Sequence, residues 1–300
     1  GEPVTLLPTQ LILATGMSGV PNVPRYPGAE VFNGQQYHSS RHLGGDAWSG
    51  KRAVVIGANN SAHDICADLV ENGAEVTMVQ RSSTHIVRSD SLMELVFGGL
   101  YSEDALETGL TTDKADMLFA SIPYKVMPGF HQPIFAAIKE RDKDFYERLA
   151  KAGFMLDFGD DESGLFMKYV RRGSGYYIDV GASELIANGT IKLKSAPGLG
   201  VECIEADAVV LNDGSRLPAD LIVYATGYGS MNGWAAKLIS QEVADKVGRC
   251  WAWVLAPRMI LALTRANCAT CGSRHSRKTS GSTVATCISR GIIRCIWRCS

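Results

Sequence analysis

The chain has 300 residues, 46% of them hydrophobic and 20% charged, with a formal net charge of −1. That balance excludes a disordered chain and one that holds nucleic acid by bulk positive charge. The length suits one large domain or two small ones. No apolar run is long enough to span a bilayer, and no basic segment followed by an apolar core marks a signal peptide. A cytoplasmic location is expected on those grounds.

The chain opens directly on strand-like sequence, GEPVTLLPTQLILATG, ending at Ala14-Thr15-Gly16. With no initiator Met, a fragment or a processed start is expected. A clear unit follows at KRAVVIGANNSAHDICADLVENGAEVTMVQRS. AVVIG is a short apolar run of the kind buried in a parallel sheet. Ile65, Leu69 and Val70 fall at helical spacing, Gly73 sits where a helix C′ residue would, and AEVTMVQ is the next strand. This is a β-turn-α-β crossover unit. Residues 91–170 read as mostly helical, punctuated by Pro123, Pro128 and Pro133. Short strands follow in GTIKLKS, GVECIEADAVVLNDGSRL and ADLIVYATGYG, and the Asn212-Asp213-Gly214 turn predicts a hairpin. The last of these strands closes on Ala225-Thr226-Gly227, repeating the Ala-Thr-Gly ending at Gly16.

The strand-to-helix turn, Gly57 to Ala62, carries the first chemistry. In a dinucleotide-binding unit one Gly makes the tight turn, a second lets backbone approach a pyrophosphate, and a third lets helix and strand pack. Gly57 fits the first place and Ala62 the third, while Asn59 takes the middle. Asn tolerates left-handed backbone better than other residues with a side chain, so the turn is expected to survive. Asn60 and Ser61 then open a helix whose positive end suits an anion. At the end of the second strand an NAD site places an acid for the ribose hydroxyl. Here the chain reads Gln80-Arg81-Ser82-Ser83, and Arg81 with Ser82 favours a 2′-phosphate, hence NADPH. The alternatives are a plain βαβ turn and a solvated arginine.

LILATGMSGVPNVPRYPG, FNGQQYHSSRH, VVIGANNSAHDI and LPADLIVYATGY occur in that order. Over residues 1 to about 250 the chain resembles the flavin-containing monooxygenases, the class B flavoprotein monooxygenases. The resemblance implies an α/β, Rossmann-like fold with two dinucleotide-binding domains, the NADPH domain inserted in the FAD domain. Residues 1–44 would then be a partial FAD domain and linker. Residues 45–220 would be the NADPH domain, with a helical insert at about 91–170, and 221–250 the return to the FAD domain. Ala14-Thr15-Gly16 and Ala225-Thr226-Gly227 would mark the crossings and bring small residues near the cofactors. Phe32, Gly34 and His38 match the family's linker motif, but His42 stands where subgroups carry Tyr, Phe or Trp, so no subgroup is assigned. His38 is implied to couple cofactor binding to domain motion, with a purely structural linker role as the alternative.

The implied activity is NADPH- and FAD-dependent monooxygenation. A small organic substrate takes one atom of O2 at N, S or a carbonyl carbon through a flavin C4a-hydroperoxide. No side chain is assigned to acid–base work, no metal is expected, and the oligomeric state is unread. The family's first glycine-rich turn, which would hold the FAD pyrophosphate, is not in this sequence, so poor FAD binding, or none, is expected.

Residues 251–300 hold eight Lys or Arg, no Asp or Glu, and Cys268, Cys271, Cys287, Cys295 and Cys299. A surface normally mixes both signs of charge. Plausible codons for Thr279 to Cys299, read one base back, give an ending like that of the family, GNLHQSRHYS. We expect 251–300 to be an out-of-frame, poorly ordered tail. Two alternatives remain: a flavin disulfide reductase using Cys268 and Cys271, and a non-catalytic NADP-binding remnant.

Overall fold

The computed structural model describes residues 10–16, 18–248 and 281–283. Cys268, Cys271 and nearly all of 251–300 lie outside the described residues. The chain forms two compact units. The larger takes Pro21–Ala115 and Ile122–Gly227; the smaller takes the described parts of 1–20, 116–121 and 228–300.

The strands in chain order are β1 (Gln10–Ile12), β2 (Gln35–His38), β3 (Arg52–Ile56), β4 (Glu75–Gln80), β5 (His85–Arg88), β6 (Tyr176–Asp179), β7 (Lys192–Ser195), β8 (Val201–Ile204), β9 (Ala208–Leu211), β10 (Arg216–Pro218), β11 (Leu221–Tyr224) and β12 (Gly281–Thr283). The larger unit is built on a five-stranded, wholly parallel sheet in the order β2-β11-β3-β4-β7. β2 and β11, drawn from either side of the intervening chain, complete the sheet around β3.

Alternate residues of β3 enter two cores. Ala53 and Val55 pack with Ala62, Ile65, Cys66 and Leu69 of helix α1 (Asn60–Glu71). Val54 and Ile56 join Ile222 and Tyr224 of β11 and Val209 and Leu211 of β9 on the other face. The sheet is therefore sandwiched, which is why AVVI is a continuous apolar run rather than an alternating one. α1 ends on a Schellman motif: Ala74 N–H donates to the Leu69 carbonyl and Gly73 N–H to that of Val70, both at 2.9 Å.

β8, β9 and β10 form a separate antiparallel sheet, and the Asn212-Asp213-Gly214 turn joins β9 to β10 as a hairpin. The segment read as helical contains the helices Met127–Arg141, Lys143–Lys151 and Leu165–Arg172. Pro128 falls in the first turn of its helix, where a missing N–H costs nothing, while Pro133 lies inside it. In the smaller unit β1 pairs in parallel with β12, and helices Asn232–Leu238 and Gln241–Val247 pack together.

Candidate nucleotide-binding site

The strand order reverses at β3, with β4 on one side and β11 on the other. In open parallel sheets ligands bind outside the carboxyl ends of the strands at such a point. Gly57 stands there with φ +136°, and its N–H donates to the Val79 carbonyl at 3.0 Å. A Cβ added at Gly57 would lie 2.3 Å from the Ala225 carbonyl oxygen. Ala225, buried at the end of β11, is held by its own N–H on the Ile56 carbonyl. The structure thus brings Gly57 and Ala225 together at the switch point.

Asn59 departs from its expected conformation. It is the extended N-cap residue of α1, with φ −106°, so nothing at this position calls for left-handed backbone. Only Gly57 in the turn has positive φ. The Asn59 carbonyl accepts from the N–H groups of Ala62 and His63. The amides of Asn60 and Ser61 have no partner among the described residues, as expected for the first turn of a helix. The Asn60 side chain is occupied: its Oδ1 accepts from the Ile178 N–H at 3.3 Å and ties α1 to β6. Ser61 is exposed and Ala62 fully buried, close against the sheet.

Arg81 and Ser82 sit just past the end of β4, both exposed and without a hydrogen bond or ion pair among the described residues. Burial raises the Tyr26 phenol, and the Arg81 charge opposes that rise. The turn therefore offers a positive charge and a hydroxyl that no group among the described residues uses.

The linker motif has a structural account at each position. Phe32 is buried in the core beneath the antiparallel sheet. A Cβ at Gly34 would lie 2.3 Å from the Asp220 carbonyl oxygen, so only Gly lets β2 pass. His38 is buried at the end of β2. Its Nδ1 accepts from the Ser40 N–H at 3.1 Å, which leaves the proton on Nε2 to donate to the Gly227 carbonyl at 2.8 Å. The Asn22 N–H also donates to Gly227, and the Thr226 hydroxyl donates to Asn22. The segment after β11 is held from two sides. His42, in the motif's aromatic place, bonds Tyr37 through Nδ1 and Asp68 of α1 through Nε2 at 2.6 Å.

In the smaller unit, Thr15 and Gly16 line a small cleft with Leu13, Met231, Asn232 and Ala235. Gly16 has no side chain to fill it, and Ala14 is exposed and does not line it.

Several site residues were not read from sequence. Gln80 is fully buried; its Nε2 donates to the Met155 carbonyl at 3.0 Å and its Oε1 accepts from the Met155 N–H at 2.8 Å. Ser83 donates to Asp157, which also accepts from the buried Lys168. Burial would raise the Asp157 carboxyl, but hydrogen bonds from Lys168, the Gly159 N–H and Ser83 outweigh it and hold it at about 2. A polar residue closing an apolar parallel strand was the available signal for Gln80. Cys66 is wholly buried, which pushes its thiol up, and among the described residues no cluster of His, Cys, Asp or Glu suits a metal.

A family model described as pyridine nucleotide-disulphide oxidoreductase matches residues 4–121. Two rice proteins described as indole-3-pyruvate monooxygenases are similar to the chain. YUCCA4 is 28% identical over 220 residues, covering 73% of this chain and 43% of that protein. YUCCA1 is 27% identical over 246 residues, covering 81% and 53%. The chain spans about half the length of these relatives. Among solved structures, oxidized steroid monooxygenase bound to NADP aligns with a TM-score of 0.53 at 18% identity, over 76% of this chain and 49% of that one. Cyclohexanone monooxygenase bound to epsilon-caprolactone aligns with a TM-score of 0.50 at 16% identity, over 75% and 49%. The structural likenesses show the same Rossmann-like fold, and no helix among the described residues is long and apolar enough to cross a membrane. With the switch-point turn and the linker motif in place, the sequence comparisons agree that this chain resembles the class B flavin-dependent monooxygenases, and the solved structures share its fold.

Proposed function

We propose that the larger unit holds NADPH for an FAD-dependent monooxygenase acting with O2 on a small organic substrate. One observation carries the reading: an exposed arginine and serine, unpaired among the described residues, stand beside a glycine turn at the switch point of a parallel sheet. The free amides of Asn60 and Ser61 would take the pyrophosphate, with Gly57, Asn59 and Ala62 shaping the turn. Arg81 and Ser82 would take the 2′-phosphate. Ala14-Thr15-Gly16 would lie against FAD, and Ala225-Thr226-Gly227 would close the nucleotide crevice. Bound FAD supplies the oxygen chemistry; the protein binds, orients and excludes water. The named relatives include enzymes of a keto acid and a cyclic ketone, so carbonyl compounds are the first substrates to assay, ahead of amines and sulfides.

Charge-assisted hydrogen bonds are worth about 1.5–3 kcal/mol each. Arg81→Ala is therefore expected to weaken NADP+ binding by roughly 10- to 150-fold while changing NAD+ binding less than about twofold. Calorimetric titration of the purified chain with both nucleotides checks this. Equal losses for the two, or none, would remove Arg81 from the site. For the activity, NADPH-driven O2 uptake with added FAD is the assay. Nucleotide binding without flavin uptake would support the remnant reading instead.

A further inference from the structure

The Arg81-Ser82 tip is a two-residue turn whose flanks are bolted to one strip of the helical insert. On one side, Gln80 grips both backbone groups of Met155 and also accepts from the Ser195 hydroxyl at 2.7 Å. On the other, the Thr84 N–H donates to the Met155 carbonyl at 3.0 Å, and the Thr84 carbonyl accepts from the Asp157 N–H at 3.1 Å. Ser83 adds a bond to Asp157 Oδ2 at 2.8 Å. Gln80 and Thr84 are buried, whereas Arg81 and Ser82, two of the three residues between them, are exposed and unpaired among the described residues. Burying a glutamine is costly unless its polar atoms are matched, and here they are matched against the insert's backbone. A surface turn that served only to join β4 to β5 would not need such an anchorage.

We propose that Gln80 and Ser83 are positioning residues for 2′-phosphate recognition. By clamping the turn to 155–157 they fix Arg81 and Ser82 before ligand arrives, so that nucleotide choice depends on the helical insert as well as on the βαβ unit. Fixing a binding group in advance removes the ordering cost from the binding step, and that gain falls only on the ligand which uses the group. The proposal rests on the reading of Arg81 as the phosphate ligand.

The test is the ratio of NADP+ to NAD+ affinity in the full chain, measured by calorimetric titration for Gln80→Leu, Ser83→Ala and Arg81→Ala. Gln80→Leu is expected to lower the ratio by about tenfold and Ser83→Ala by about threefold, with NAD+ affinity held. General loss of structure would weaken both nucleotides together and leave the ratio unmoved. Ser83→Ala keeps the test decisive if Gln80→Leu does not fold, because Ser83 is only half-buried. Ser83→Thr, which keeps the hydroxyl, should restore the ratio. An unchanged ratio in the Gln80 and Ser83 variants, with a fall in Arg81→Ala, overturns the clamp alone. An unchanged ratio in Arg81→Ala overturns the phosphate reading and the clamp with it.

Discussion

Gly57→Ala is expected to destabilise the larger unit by about 4 kcal/mol, lowering its melting temperature by roughly 10 °C. Two costs combine. The first is conformational, since φ +136° is a region that residues with a Cβ rarely enter. The second is steric, since the new Cβ meets the Ala225 carbonyl oxygen at 2.3 Å and its carbon at 3.0 Å. These are backbone atoms, fixed by the parallel ladder between β3 and β11, so no side chain can swing aside. Gly189→Ala separates the two costs. Gly189 has φ +81° but open space around its Cβ, so only the conformational cost of about 1 kcal/mol should appear. Calorimetric melting of both variants beside the parent checks this. If Gly57→Ala melted with Gly189→Ala, the close approach at the switch point would not be the reason for the glycine.

The difference between those glycines also shows what sequence could reveal. The β3-α1-β4 unit is legible because its signals are local: an apolar run, a helical spacing, and Gly73 closing the helix in a Schellman motif. The Asn-Asp-Gly hairpin is legible for the same reason. The placement of β11 beside β3 is not local, for it brings together segments more than 160 residues apart, and no short pattern specifies that order. Asn59 was misread because a glycine was expected in its place. The chain instead makes Asn59 an extended N-cap and leaves the only positive φ of the turn to Gly57. Arg81 was singled out by its type and position, and the structure leaves it exposed at the turn. Gln80, its neighbour, was not, since its role depends on Met155 in another part of the chain.

Acid is expected to weaken the larger unit well before its carboxylates titrate, because two histidines are buried in the neutral form. His63 on α1 is 0% exposed, donates from Nδ1 to the Asn59 carbonyl, and stacks on Tyr177 at 4.0 Å. His85 on β5 is 0% exposed, donates from Nδ1 to the Asp157 carbonyl, and lies edge-on to Phe135 and Phe158. Neither Nε2 has a partner among the described residues. Burial is the main cause that lowers both to about 4, with the Lys168 and Lys139 charges adding to it at His85. Unfolded, each returns to about 6.5, so the unfolded chain binds protons first. Stability is therefore complete above about pH 6.5 and is lost as pH falls toward 4. Between pH 7 and 4.5 the loss should be about 2 kcal/mol for each histidine. Asp157 and Asp220, both held at about 2, lose their contributions only below about pH 4, so the two effects occupy separate windows. Urea unfolding at pH 7 and pH 4.5 measures the slope. His63→Phe should remove about half of the pH dependence while costing some stability at pH 7, because the Asn59 carbonyl loses a donor. A flat stability between pH 7 and 4.5 would mean that one or both rings reach water when protonated. The sealed core between α1, β5 and the helical insert would then have to open more readily than its packing implies.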